Sequence, residues 1–186
     1  MSEIAQLDAT LQQKLIRIAR ETIETYVRTR QTPEFSVTEP ALLQHAGAFV
    51  TIKRHGQLRG CIGHVEGSKP LHETIVEMAM ASATQDPRFQ PVTERELADL
   101  KIEISVMTPL RRIADPAEVE VGVHGILMRR GFRSGLLLPQ VATEQGWDRE
   151  TFLAHTCQKA GLPKSAWREA DTEIYVFSAQ VFPETE

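Results

Sequence analysis

Residues 100 to 107 alternate without a break. Ile102, Ile104 and Val106 fall on one face, and Lys101, Glu103 and Ser105 on the other. A period of two puts one face in a core and the other toward solvent. Strands of this kind belong to antiparallel sheets, since parallel strands are buried on both faces by crossover helices. Residues 48 to 63 repeat the pattern as a hairpin. Ala48, Val50 and Ile52 alternate with Phe49, Thr51 and Lys53, and the return strand runs from Gln57 to Ile62. Between them lies His55-Gly56, where glycine supplies the positive φ of a tight turn.

Helices surround these strands. Residues 8 to 30 carry Leu11, Leu15, Ile18, Ala19, Ile23, Tyr26 and Val27 at three-to-four spacing, with Asp8 as N-cap and Thr32-Pro33 as the stop. One helical turn is expected at 41–45. Lys69-Pro70 opens a second helix with Leu71, Ile75, Met78, Ala79 and Ser82 as its inward stripe. Val92 to Leu97 fits a short helix, with Thr93 and Glu96 as a capping box. Asp148 caps a helix to Lys159, ended by Gly161 and Pro163. A second hairpin is expected over Val119–Met128, a buried strand or turn over Leu136–Val141, and a last strand over Glu173–Phe182. The order predicts an α+β fold: an antiparallel β-sheet flanked by helices.

Composition narrows the function classes. At 186 residues, 41% apolar and 25% charged, the chain is an ordinary globular one, either a single domain or a domain with a smaller appended lobe. A net charge of −4 argues against nucleic acid as a partner. No apolar run approaches the ~18 residues of a membrane span, and Met1–Asp8 lacks the basic and apolar regions of a leader. Two cysteines far apart in sequence make no disulfide framework, so a cytoplasmic chain with reduced thiols is expected. Six unclustered histidines suggest no metal, and no cofactor is expected.

The segment Leu58-Arg59-Gly60-Cys61-Ile62-Gly63-His64 concentrates the chemistry. On an extended strand Arg59, Cys61 and Gly63 share a face, with Gly63 leaving room above the thiol. A guanidinium beside a thiol favours thiolate, and His64 is placed to serve as general base if the chain turns after Gly63. The plain alternative makes Cys61 a small apolar core residue. A third makes Cys61-x-x-His64 half of a metal site, for which Cys157 and His155 offer no matching pair. Asp86-Pro87-Arg88-Phe89 either ends a helix with a surface ion pair or presents Asp86 and Arg88 to the Cys61 strand, Asp86 orienting His64 or Arg59. His124-Gly125 is a turn or a second source of protons. Cys157 fits a helix core with Phe152, Leu153 and Ala160.

Taken in order, six motifs resemble the AMMECR domain family: Leu58-Arg-Gly-Cys-Ile-Gly63, Asp86-Pro-Arg-Phe89, Ile104-Ser-Val106, His124-Gly125, Gly135-Leu-Leu-Leu-Pro-Gln-Val141 and Lys159-Ala-Gly-Leu-Pro163. Bacterial members are called the A protein of the AmmeMemoRadiSam system. The resemblance spans residues 8–182, leaving short tails at 1–7 and 183–186. It implies a two-lobed α+β domain, with Memo-like and radical-SAM proteins as partners and Arg59 to Gly63 as the active centre. Two functions follow. In one, Cys61 is a nucleophile or redox thiol acting on an unknown small molecule. His64 and Asp86 complete its catalytic set, and Arg59, Gly60, Gly63, Arg88 and His124 bind substrate. In the other, the same groove recognises a partner without turnover.

Overall fold

The structure, a computed structural model, describes residues 6–185. Residues 1–5, most of the Met1–Asp8 segment, lie outside the described residues. The described chain divides into two compact units, one of residues up to Pro109 together with Gln180 onward, the other Leu110–Ala179.

The first unit opens with α1 (Ala9–Thr29), capped by Asp8, whose side chain accepts from Leu11 N–H. Arg30 ends it in the left-handed region, donating back to Tyr26. A single turn, α2 (Pro40–Leu43), precedes the hairpin β1 (Ala48–Arg54) and β2 (Gln57–His64). Both turn residues, His55 and Gly56, take positive φ (50° and 76°), as a type I′ turn requires. Then come α3 (Leu71–Thr84), a 3-10 turn at Glu94–Asp99 and β3 (Leu100–Met107). Thr93 and Glu96 form the expected capping box, although the element is 3-10 rather than α.

With β8 (Ala179–Pro183) the first sheet runs β2-β1-β3-β8, with β1 antiparallel to both neighbours. Val50, Ile52, Ile102, Ile104 and Val106 are buried in one core with Leu15, Ile23, Ile75 and Ala79 of α1 and α3. Each of these Val, Leu and Ile side chains stabilises the unit by roughly 1.5–3 kcal/mol. The unit reaches past the expected ends: Leu7 is buried and donates to Gln180, and Glu184 pairs with Arg20.

The second unit contains β4 (Arg111–Ile113), β5 (Gly125–Arg130), β6 (Arg133–Leu137), α4 (Pro139–Gln145), α5 (Arg149–Lys159) and β7 (Glu173–Phe177). Its sheet order is β4-β7-β5-β6. Phe152 and Cys157 of α5 pack with Ile126, Met128, Ile174 and Val176.

Three sequence expectations change here. The hairpin lies at β5–β6, turning at Gly131-Phe132, because residues 120–124 close into a hydrogen-bonded turn on Glu120 O with Gly122 at φ 85°. Leu136–Val141 is split: the strand stops at Leu137 and Pro139 starts α4, leaving Gln140 exposed and in no need of a partner. The last strand is broken at Ser178, so β7 pairs in the second sheet and β8 in the first. An alternating run does not reveal that its two halves serve different sheets.

Candidate functional site

β2 is an edge strand, so its outward backbone groups need partners from elsewhere. The Asp86-Pro87-Arg88 loop supplies them at Cys61. Asp86 Oδ2 accepts the Cys61 N–H at 2.9 Å, and Arg88 Nη2 donates to the Cys61 carbonyl at 3.3 Å. The loop takes the place of a missing fifth strand at one residue. Asp86 is 4% exposed and accepts three further N–H groups, all from Arg88: the backbone N at 3.1 Å, Nε at 3.0 Å and Nη2 at 2.7 Å. The Arg88 guanidinium, ahead of the backbone donors, holds the Asp86 carboxyl far below the ordinary carboxylate range. Asp86 in turn raises the proton affinity of Arg88.

Behind Cys61 the sheet is bridged by a helix side chain. Ser82 Oγ of α3 donates to Val50 O at 2.6 Å and accepts from Ile62 N–H at 2.9 Å. Val50 and Ile62 are register partners, so the hydroxyl stands within the β1–β2 ladder. That approach demands Gly60: a Cβ there would lie 2.2 Å from Ser82 O. Gly63 has a different cause. A Cβ at Gly63 would lie 2.3 Å from Phe49 Cγ, so the ring of the facing strand fills the room expected above the thiol.

Cys61 is a half-buried residue, its Sγ 3.2 Å from Thr51 Oγ1 on the face opposite the Ser82 side. Arg59 sits at an irregularity of the β1–β2 register and makes a bidentate pair with Glu96, at 2.9 and 3.2 Å. Both side chains are largely buried, and Arg59 brings the Glu96 carboxyl down to about 2. The guanidinium carbons of Arg59 and Arg88 lie 5.9 and 5.5 Å from the centre of the Phe89 ring.

The structure therefore brings together Cys61, Asp86 and Arg88, and gives the remaining sequence candidates other work. Asp86 does not orient His64 or Arg59; its oxygens hold Cys61 and Arg88. Arg59 is the partner of Glu96. Strand alternation puts His64 on the face opposite the thiol, level with Ala48, and its Nδ1 is buried without a partner among the described residues. His124 belongs to the second unit, where Nδ1 accepts the Glu120 N–H at 3.1 Å and closes the turn. Cys157 is fully buried in α5, and burial pushes its thiol up. No group of three or more His, Cys, Asp or Glu among the described residues is arranged to hold a metal, and no helix among them is long and apolar enough to cross a membrane.

Sequence reasoning missed Ser82, Thr51 and Glu96 as parts of this site. Ser82 left a signal, a hydroxyl on an otherwise apolar stripe. Glu96 carried the capping signal but no sign of Arg59, because that pairing joins residues 37 apart.

Comparison with known proteins agrees with this architecture. The AMMECR1 family model matches residues 16–182. A protein of Methanopyrus kandleri is 48% identical over 181 residues, covering 92% of this chain and 87% of its own. One of Methanothermobacter thermautotrophicus is 45% identical, covering 91% and 92%. The crystal structure of an uncharacterised protein from Pyrococcus horikoshii superposes with a TM-score of 0.83 at 43% identity, covering 92% of this chain and 90% of that one. With the family model spanning most of its length and relatives near half identical, the chain belongs to the AMMECR1 family.

Proposed function

We propose that the clamped Cys61 edge is the recognition surface of a cytoplasmic binding module, with Memo-like and radical-SAM proteins as its partners. One observation carries this reading: the acid–base groups around Cys61 are already closed into structural hydrogen bonds. Asp86 holds a peptide N–H and Arg88, and Arg59 holds Glu96. A general base needs a free lone pair within hydrogen-bond reach of the proton it takes. What the edge offers outward is a surface: Leu58, the half-buried Phe89 ring and the half-exposed Arg88 guanidinium. Aromatic and arginine side chains of this kind anchor protein interfaces.

A thiol enzyme acting on a small molecule is the second reading. It is favoured by the partial exposure of Cys61 and by the Arg88 guanidinium at its peptide.

Purified Memo-like and radical-SAM proteins are offered to the wild type, Cys61→Ser and Phe89→Ala, each checked for folding by circular dichroism. The binding reading expects capture by wild type and Cys61→Ser alike, at least a tenfold loss in Phe89→Ala, and iodoacetamide reactivity at Cys61 no faster than glutathione at pH 7. Loss of the cellular phenotype in Cys61→Ser with capture intact, together with a thiol that reacts much faster than glutathione, overturns it in favour of the enzyme.

A further inference from the structure

The second unit holds a cavity that the Cys61 edge does not use. It has a volume of about 590 Å³ and is framed by β4, β7 and the 3-10 turn Ala166–Arg168. Small-molecule sites occupy roughly 300–1,000 Å³. Ile113, Ile174 and the half-buried Trp167 indole give it apolar walls. Two guanidinium groups, Arg112 and Arg168, line it with side chains 60% and 59% exposed. Thr172 lines it as well. That residue is 8% exposed, and its Oγ1 is buried without a hydrogen-bond partner among the described residues. An unpaired buried hydroxyl costs free energy and asks for a partner.

We propose that this cavity binds a small organic anion with a flat apolar body, an aromatic carboxylate. The carboxylate lies between Arg112 and Arg168, accepts the Thr172 hydroxyl, and leaves its ring against Trp167.

The charge of the lining selects the sign. A guanidinium offers five N–H donors in a plane suited to a carboxylate. Arg168 gives Nη2 to Glu150 at 3.2 Å, and Arg112 Nη1 meets Glu173 at 3.0 Å, so donors remain on both. The one carboxylate among the described lining residues, Glu169, is paired with Arg130 at 3.0 Å. An anion adds to the remaining guanidinium donors, whereas a cationic ligand finds both neighbouring carboxylates already paired with arginine. Trp167 selects the body. The Arg168 guanidinium carbon lies over the indole, 4.4 Å from its centre, so the ligand's ring takes that face as Arg168 moves off it toward the carboxylate. Thr172 Oγ1 is buried, so the carboxylate reaches it only as the rim opens. Ion pairs between exposed side chains are weak in water, so each arginine is free to swing aside and then close on the ligand.

The test is a titration of the isotope-labelled full chain with 2-naphthoate, followed by amide chemical shifts. The uncharged 2-naphthalenemethanol runs in parallel. Saturable shifts are expected over residues 112–116 and 167–174, with the alcohol bound at least about tenfold more weakly, the loss of a charge-assisted contact. Arg112→Ala and Arg168→Ala should each weaken naphthoate about tenfold, and Thr172→Val by a few-fold. Ala114 is exposed, so Ala114→Trp fills the mouth without disturbing the core and should abolish binding. Equal affinity for the alcohol, shifts outside these segments, no saturable binding, or affinity unchanged in both arginine variants would each overturn the proposal.

Discussion

The backbone N–H of Cys61 donates to Oδ2 of Asp86 at 2.9 Å, joining the exposed edge of a sheet to a buried carboxylate. Because the same carboxylate grips Arg88, and Arg88 returns to the Cys61 carbonyl, a short loop closes around one peptide unit. Replacing Asp86 with Ala leaves the Cys61 N–H without an acceptor and Arg88 without its counter-charge. A loss of roughly 2–4 kcal/mol in unfolding free energy is expected from urea denaturation. Faster hydrogen exchange at the Cys61 amide should accompany it. A loss below about 0.5 kcal/mol would show that the clamp is ornamental.

Gly60 and Gly131 separate two roles of glycine. At Gly60 a methyl group meets backbone, Ser82 O at 2.2 Å, and only a shift of α3 away from β2 relieves it. At Gly131 nothing lies within 4 Å, and only the φ of +57° opposes a side chain. Gly60→Ala should therefore cost about 3 kcal/mol or more and Gly131→Ala about 1 kcal/mol, measured by thermal unfolding of the two variants side by side.

Ser82→Ala removes the hydroxyl shared by Val50 O and Ile62 N–H. Both groups are then buried with one partner fewer, at a cost of about 1–3 kcal/mol. Amide exchange should rise at Ile62 and stay unchanged along β3, where Ile104 and Val106 pair independently of the bridge. Protection that is equal at Ile62 in both proteins would contradict this assignment.

Acid should unfold the first unit through Glu96 and Asp86. Both carboxyls are lowered in the folded state, Glu96 to about 2 by Arg59 and Asp86 further still by Arg88. A lowered folded value means that the unfolded chain binds the proton more readily. The share from Glu96 is therefore fully present above the ordinary carboxylate range near 4.5 and is lost as pH falls from there toward 2, and the share from Asp86 goes on falling below that. Glu96→Gln should be less stable than wild type at pH 6 and flatten the acid limb of the stability curve. A limb of unchanged steepness would exclude Glu96 from the effect.

The two thiols should differ in access. Cys61 is half-buried, whereas Cys157 is fully buried and its thiol raised by burial. Iodoacetamide should add one label to the native chain, at Cys61, and two in denaturant, resolved by peptide mass spectrometry.

Sequence alone determined the elements whose cause is local. Alternation fixed β1, β2 and β3, three-to-four spacing drew α1 and α5, and Asp8, Thr93 with Glu96, Asp148 and Gly161 marked ends where a side chain or a positive φ acts on its own neighbours. It also singled out Cys61, Asp86 and Arg88, which the fold does bring together. The tertiary structure decided what each does there. Whether Arg59 meets a thiol or Glu96, whether Asp86 orients a histidine or completes a strand edge, and whether Gly63 opens a space or admits Phe49 all depend on partners from other elements. Those partners are chosen by packing at ångström scale, which spacing along the chain does not encode. The break at Ser178 is of the same kind, since backbone pairing with β5 on one side and β3 on the other divided a run that reads as one strand.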